Sequence, residues 1–201
     1  SPGSCLSFTL LELKSLIIIC FWIILVIFLA IFCKSSFPHK NELPRKIVHI
    51  GTGPIVPLAW LLNISTVTAI ATAGIITIGL LVNYKFKLIN AIEDIQRNSF
   101  GTIAYGFSIT LLIAIFWPEN ASVASAGVLI MAFGDGLAGL IGREINSPSW
   151  KILGQQKSLL GTLTMGLVSI FVLLGISIVS EGNIYPIKIL AISILAVLLE
   201  Q

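Results

Sequence analysis

Long apolar runs separated by short polar stretches set the pattern of this chain. The runs fall at 15–33, 47–62, 64–83, 102–117, 121–142, 159–180 and 184–200. A helix needs about 20 mostly apolar residues to cross a bilayer, within a range of about 17–25. The pattern therefore predicts an all-α, polytopic membrane bundle of about seven transmembrane helices. The second run is short and holds Pro54 and Pro57. Proline removes a backbone donor, and irregular backbone is tolerated at membrane depth only inside protein, so a kinked or partly re-entrant segment is expected there. No internal repeat or low-complexity tract interrupts the series.

Composition strengthens this reading. Of 201 residues, 56% are hydrophobic and only 10% charged, with a mean hydropathy of +1.02. Soluble domains carry about 25% charged residues, and one aqueous core cannot hide so much apolar surface. Lipid is the expected solvent, and a nucleic-acid partner is not expected. Cys5, Cys20 and Cys33 form no CxxC pair and read as small apolar residues. The first run is too long for a signal-peptide core and lacks a cleavage site, so it is expected to stay as a span.

The charges are unevenly placed. Lys34, Lys40, Arg45 and Lys46 lie between the first two runs. Lys85, Lys87 and Arg97 lie between the third and fourth, and Arg143, Lys151 and Lys157 between the fifth and sixth. These are ten of the twelve basic residues. The positive-inside rule puts these three loops in the cytoplasm and the N-terminus outside.

Topology explains the charge of those loops but not their acids, glycines and hydroxyls. Asp135, about two helical turns before Arg143, falls inside the hydrocarbon edge, where an ionisable group is costly unless paired, hydrated or bound to a cation. It is either functional or a helix-packing acid. Around it, Gly134, Gly136, Gly139 and Gly142 either let helices approach or clear space for a phosphate or metal. Next come Lys151, then Lys157 and Ser158 just before a helix predicted to start near Leu159, with Gly161 and Thr162 behind them. A helix N-terminus with free N–H groups and a nearby lysine suits a polyphosphate, although GxxxxGK[ST] is absent and Ser158 also reads as a plain N-cap. Arg45 and His49 share one face at the membrane edge. His49 is a proton acceptor or an interfacial histidine. Arg97, beside Gly101-Thr102, is a phosphate candidate, whereas Glu93-Asp94 reads as a solvated loop. All three clusters belong to the predicted cytoplasmic face. An anionic substrate from the cytosol and a hydrophobic one from the bilayer would meet there, which points to transfer of a phosphate-containing group to or from a lipid.

Four segments carry a resemblance. Glu42–His49 (ELPRKIVH), Arg97–Tyr105 (RNSFGTIAY), Gly134–Arg143 (GDGLAGLIGR) and Lys157–Met165 (KSLLGTLTM) resemble, in order and spacing, the polyprenol kinase family. That family includes phytol kinase, dolichol kinase and CTP-dependent diacylglycerol kinase. The similarity is greatest to the phytol and farnesol kinase branch and covers roughly residues 42–200. It implies a membrane kinase that moves the γ-phosphoryl group of CTP to a prenyl alcohol with Mg²⁺, salvaging phytol in tocopherol-making cells. It implies that Asp135 is the motif acid, Arg143 the motif arginine and Lys157 the loop lysine. On that basis Asp135 is expected to hold Mg²⁺, with Glu42 as a second acid, and Lys157, Arg143, Lys151 and Arg97 to neutralise phosphate oxygens. Asp135 or His49 would take the alcohol's proton. The expected division is 1–41 (tail, first helix and loop) and 42–201 (kinase core), in a bacterial plasma, thylakoid or plastid membrane. Gly139 stands where phytol kinases often have Asp, and relatives continue beyond Gln201, so a C-terminal truncation is expected. The rival readings are a CTP:phosphatidate cytidylyltransferase-like enzyme and a small transporter.

Overall fold

The computed structural model describes residues 4–89, 101–180 and 182–201. The chain divides into two compact units, Ser1–Ala124 and Ser125–Gln201. Unit 1 contains α1 (Ser4–Ser36), α2 (Glu42–Thr52), α3 (Ile55–Leu61), α4 (Thr66–Phe86) and α5 (Gly101–Phe116). Helix α6 (Ala121–Leu129) leads into unit 2. There it continues through a π-helical stretch (Ile130–Asp135) into α7 (Gly136–Glu144), a hairpin of β1 (Ser149–Ile152) and β2 (Gln155–Ser158), α8 (Leu159–Val179) and α9 (Pro186–Glu200).

Four helical stretches are long and apolar enough to cross a membrane: Leu10–Ser36, Thr66–Phe86, Ala121–Glu144 and Leu159–Val179. Gly101–Phe116 is apolar but shorter. The remaining two predicted spans take other forms. One is the 15-residue α9, and the other is the pair α2 and α3, parted at Gly53-Pro54. Pro54 has no N–H and its ring would strike the carbonyl one turn back. The chain therefore tightens, Gly53 N–H bonding to Ile50 O at 3.2 Å, and resumes with Leu58 N–H on Pro54 O at 3.0 Å. Pro57 falls in the first turn of α3, where no N–H is needed.

The exposed faces identify the solvent. Buried positions on α1 (Ser15, Ile19, Val26, Ala30 and Cys33) recur at one- or two-turn spacing along one stripe where it meets protein. The remaining positions, such as Ile17, Phe21, Ile24, Phe28 and Phe32, are exposed yet equally apolar. A helix with water on that side would carry polar residues there. The apolar surround of a bilayer accounts for both faces.

In hydrocarbon, unmet backbone groups cost several kcal/mol each, and unit 1 meets them at helix ends. Glu12 on α1 accepts from Ser65 N–H (3.0 Å) and Thr68 Oγ1 (2.6 Å) at the start of α4. Trp22 Nε1 donates to Gly51 O (2.7 Å) and Trp117 Nε1 to Ile64 O (2.8 Å). A Cβ on Gly51 would lie 2.7 Å from Val26 Cγ1, so only glycine lets α2 come this close to α1.

The fold is all-α as expected, and unit 2 adds one short non-helical element. The stretch read as a loop between Arg143 and Leu159 holds a two-stranded antiparallel hairpin, closed by Leu153-Gly154 with φ of +50° and +80°. Two successive positive φ values give the turn hand that matches strand twist.

Candidate active site

Unit 2 sets Asp135 at the start of α7 and Lys157 on β2, just before the neighbouring helix α8. A Cβ on Gly134 would collide with Met165 Sδ, one on Gly161 would lie 3.0 Å from Ala138 O, and one on Gly142 would lie 2.6 Å from Ser158 Oγ. Each step down α7 meets a step up α8, the signature of a close antiparallel pair. Glycines 134, 142 and 161 are thus explained by helix approach, and Gly136 is the buried first residue of α7. Arg143 consequently stands at the level of Lys157 and Ser158. Asp135 lies about 12 Å deeper along the helix, eight residues at about 1.5 Å each. It closes the π-helical stretch, a widening of the helix common at functional sites. Half-buried, it makes no capping hydrogen bond to α7.

The N-terminus of α8 is less open than the sequence suggests. Ser158 Oγ accepts from Gly161 N–H (3.1 Å), the N-cap that its position predicts. Leu159 N–H bonds to Pro148 O at 2.9 Å, and Leu160 N–H to Ser147 Oγ at 3.4 Å. The hairpin that sequence patterning reads as loop folds back and satisfies the donors expected to meet a phosphate. The positive side chains remain for that task.

Hairpin register sorts those side chains. Lys157 stands opposite Trp150, and Lys151 opposite Gln156. Successive strand residues point to opposite faces, so Lys157 and Lys151 leave the hairpin on different sides. The joint action on one phosphate expected of them is not what this register favours, and Lys151 is exposed. On the Lys157 face lies a partner that sequence reasoning missed. The ammonium is 2.6 Å from Glu200 Oε1 at the end of α9 and also donates to the Glu200 carbonyl, with both side chains largely buried. Trp150 Nε1 donates to Gln201 Oε1 (2.9 Å), and Gln201 Nε2 donates to Thr162 Oγ1 (3.0 Å). Two of the three ammonium donors are thereby aimed by Glu200. The only sequence signal was an acid closing an otherwise apolar run.

Unit 1 carries the other candidates. Glu42 is paired with Arg45 one turn on, at 2.6 Å. Lys46, which sequence reasoning treated only as a topological charge, is buried at 8% exposure. The His49 ring lies against the Tyr105 ring, centroids 4.2 Å apart. The Tyr105 hydroxyl donates to His49 O (2.9 Å) and sits 3.3 Å from Thr52 Oγ1. Tyr105 is buried and holds the imidazole in place, a role unread in the sequence although the residue ends one of its motifs. Arg97 lies outside the described residues.

Among the described residues, no three His, Cys, Asp or Glu side chains group as a metal site. A protein cage for a metal is therefore not what these residues form. They do fit a Mg²⁺ held mainly by phosphates and water with one carboxylate from the chain, and Asp135 is placed for that. Glu42, engaged by Arg45 in the other unit, is a weaker partner.

Fold and exposed surface together define a polytopic helical membrane protein. The chain is 41% identical over 133 residues to the phytol kinase of Synechocystis sp., covering 65% of this chain and 57% of that protein. It thus spans less than two thirds of the relative's length, and the similarity supports the resemblance to polyprenol kinases carried by the motifs. No protein-family model and no solved structure matches the chain.

Proposed function

We propose that this protein is a membrane kinase that transfers the terminal phosphoryl group of a nucleoside triphosphate, CTP first among them, to a prenyl alcohol, with phytol the leading acceptor. The observation that carries this reading is the close α7–α8 pair, with Asp135 and Arg143 at the two ends of α7 and Lys157 just before α8, in a chain 41% identical over 133 residues to a phytol kinase. Phosphoryl transfer is mostly positioning and charge neutralisation, and these residue types supply both.

Lys157, aimed by Glu200, and Arg143 at the same level neutralise the phosphate oxygens. Asp135 would hold a divalent cation, which would supply further neutralisation of the phosphate charge. The alcohol oxygen bonds to the γ-phosphorus, the bond from that phosphorus to the bridging oxygen breaks, and the nucleoside diphosphate leaves. The alcohol's proton goes to Asp135 or to His49. The basic loops support a reacting face on the cytoplasmic or stromal side.

The test is a phosphorylation assay on membranes containing the protein. It offers γ-labelled CTP, UTP and ATP separately, with phytol, geranylgeraniol, farnesol, dolichol, diacylglycerol and phosphatidate as acceptors. Mg²⁺-dependent label in a prenyl monophosphate is the expected outcome. Label released as pyrophosphate from CTP with phosphatidate would turn the reading to a cytidylyltransferase. No transfer from any nucleotide would overturn it.

A further inference from the structure

Unit 1 holds a cavity of about 100 Å³ among α1, α3, α4 and α5, at the side of the broken helix pair. Its walls are aliphatic, with Ile23, Ala59, Ile76 and Ile113 among them, and hydroxyls enter only from threonines. It extends along α5 from Gly106 to Ile113, seven residues or about 10 Å, a third of the roughly 30 Å hydrocarbon core of a bilayer. Apolar cavities of this kind stay dry, and an empty one forfeits the dispersion contacts of its lining atoms. A chain standing in lipid has hydrocarbon at hand to fill it.

The cavity itself is apolar throughout, and a polar cluster lies just behind its wall at Thr52. Thr52, the last residue of α2, lines it, and its hydroxyl lies 3.3 Å from the Tyr105 hydroxyl and 3.1 Å from the His49 carbonyl. The aliphatic far end has Ala59, Ala69 and Ile113 around it. An apolar body with a polar cluster beside one wall matches a hydrocarbon tail whose hydroxyl head lies next to that cluster.

We infer that this cavity seats the first part of the acceptor's isoprenoid chain, with the alcohol at the Thr52 end beside His49 and the rest of the chain passing into lipid. The inference rests on the proposed kinase activity for the identity of its occupant. It assigns the acceptor's chain to α3, α4 and α5, and makes the far-end residues determinants of chain length.

Two measurements test it. In the first, a photoreactive prenyl alcohol with its diazirine near the hydroxyl end is irradiated in membranes and the labelled peptides are mapped. Label in peptides spanning 52–59 or 106–113, displaced by unlabelled phytol, is expected. Label only on outward apolar residues such as Phe21 or Leu190, or displacement by diacylglycerol but not by phytol, overturns the assignment. In the second, Ala69→Leu fills the far end, with correct folding checked by size-exclusion chromatography. kcat/KM for phytol should fall about tenfold or more relative to geraniol, the scale on which methylene-sized changes in apolar pockets discriminate. If Ala69→Leu fails to fold, Ile109→Ala replaces it, and widening should relax the preference between the two alcohols. An unchanged phytol-to-geraniol ratio in a folded variant overturns the inference. Displaceable label without phosphorylation of any alcohol would sink the kinase reading and leave the site standing. Phosphorylation with label elsewhere would do the reverse.

Discussion

In unit 1 the helices are tied at their ends and hollow between, whereas in unit 2 they touch along their length. Glu12, Trp22 and Trp117 each reach from a helix or turn to a backbone group at another helix end, and an aliphatic cavity is left in the interior. Along α7 and α8, glycines bring two backbones together with no room for a methyl group, and polar side chains collect at one end. The first arrangement accommodates a flexible apolar chain. The second fixes charges whose separation must be kept, as a polyphosphate requires. The contrast suggests that the two halves of the proposed substrate pair are handled by different packing.

The largest effect that would break this comparison comes from the charged end. Asp135→Asn keeps the shape but removes the carboxylate, and label transfer should fall about 10²–10³-fold, the range for loss of one preorganised electrostatic contact. Full activity in a folded Asp135→Asn variant would remove unit 2 from the chemistry. Next, Lys157→Ala should lower kcat/KM for the nucleotide about 100-fold. Glu200→Ala, which leaves the lysine but not its aim, should cost about tenfold, mainly in nucleotide KM, with partial recovery in Glu200→Asp. Equal losses in Glu200→Ala for nucleotide and alcohol KM would argue for a general packing role. A smaller effect is expected from Gly142→Ala. Its new methyl group meets Ser158 Oγ, and midpoints of thermal unfolding followed by tryptophan fluorescence in detergent should drop by several degrees, as for overpacking worth about 1–3 kcal/mol. The smallest belongs to Lys151→Ala, which should change nucleotide kcat/KM far less than Lys157→Ala because the hairpin turns the two lysines apart.

Much of the fold was legible because lipid imposes a simple rule, an apolar run of fixed length. The break at Gly53-Pro54 followed from one residue's missing donor, and the Ser158 cap from a hydroxyl just before a helix. Other features left no such mark. The π-helical stretch at Ile130–Asp135 is apolar up to its closing acid, so no periodicity reveals an extra residue in a turn. The hairpin closes on Leu153-Gly154 without the Asn-Gly pair that announces such turns. The Lys157–Glu200 pair joins residues 43 positions apart, and a local reading of either one shows only a charge near an apolar run. The candidate site was legible as residue types. Its arrangement, with the α8 donors already taken and the two lysines on opposite faces, depended on a loop that proved to be a hairpin.

The interlocked glycines leave a trace beyond this one molecule. Gly134 faces Met165, Gly142 faces Ser158, and Gly161 faces the backbone of Ala138. A lineage that gains a methyl group at 134 has to shorten the side chain at 165, and one that enlarges 142 has to yield at 158. Position 161 is harder to relieve, because its neighbour at 3.0 Å is a backbone carbonyl that can shift but not be made smaller. Among descendants of a common ancestor, the first two positions should drift in step with their partners, and the third should drift least.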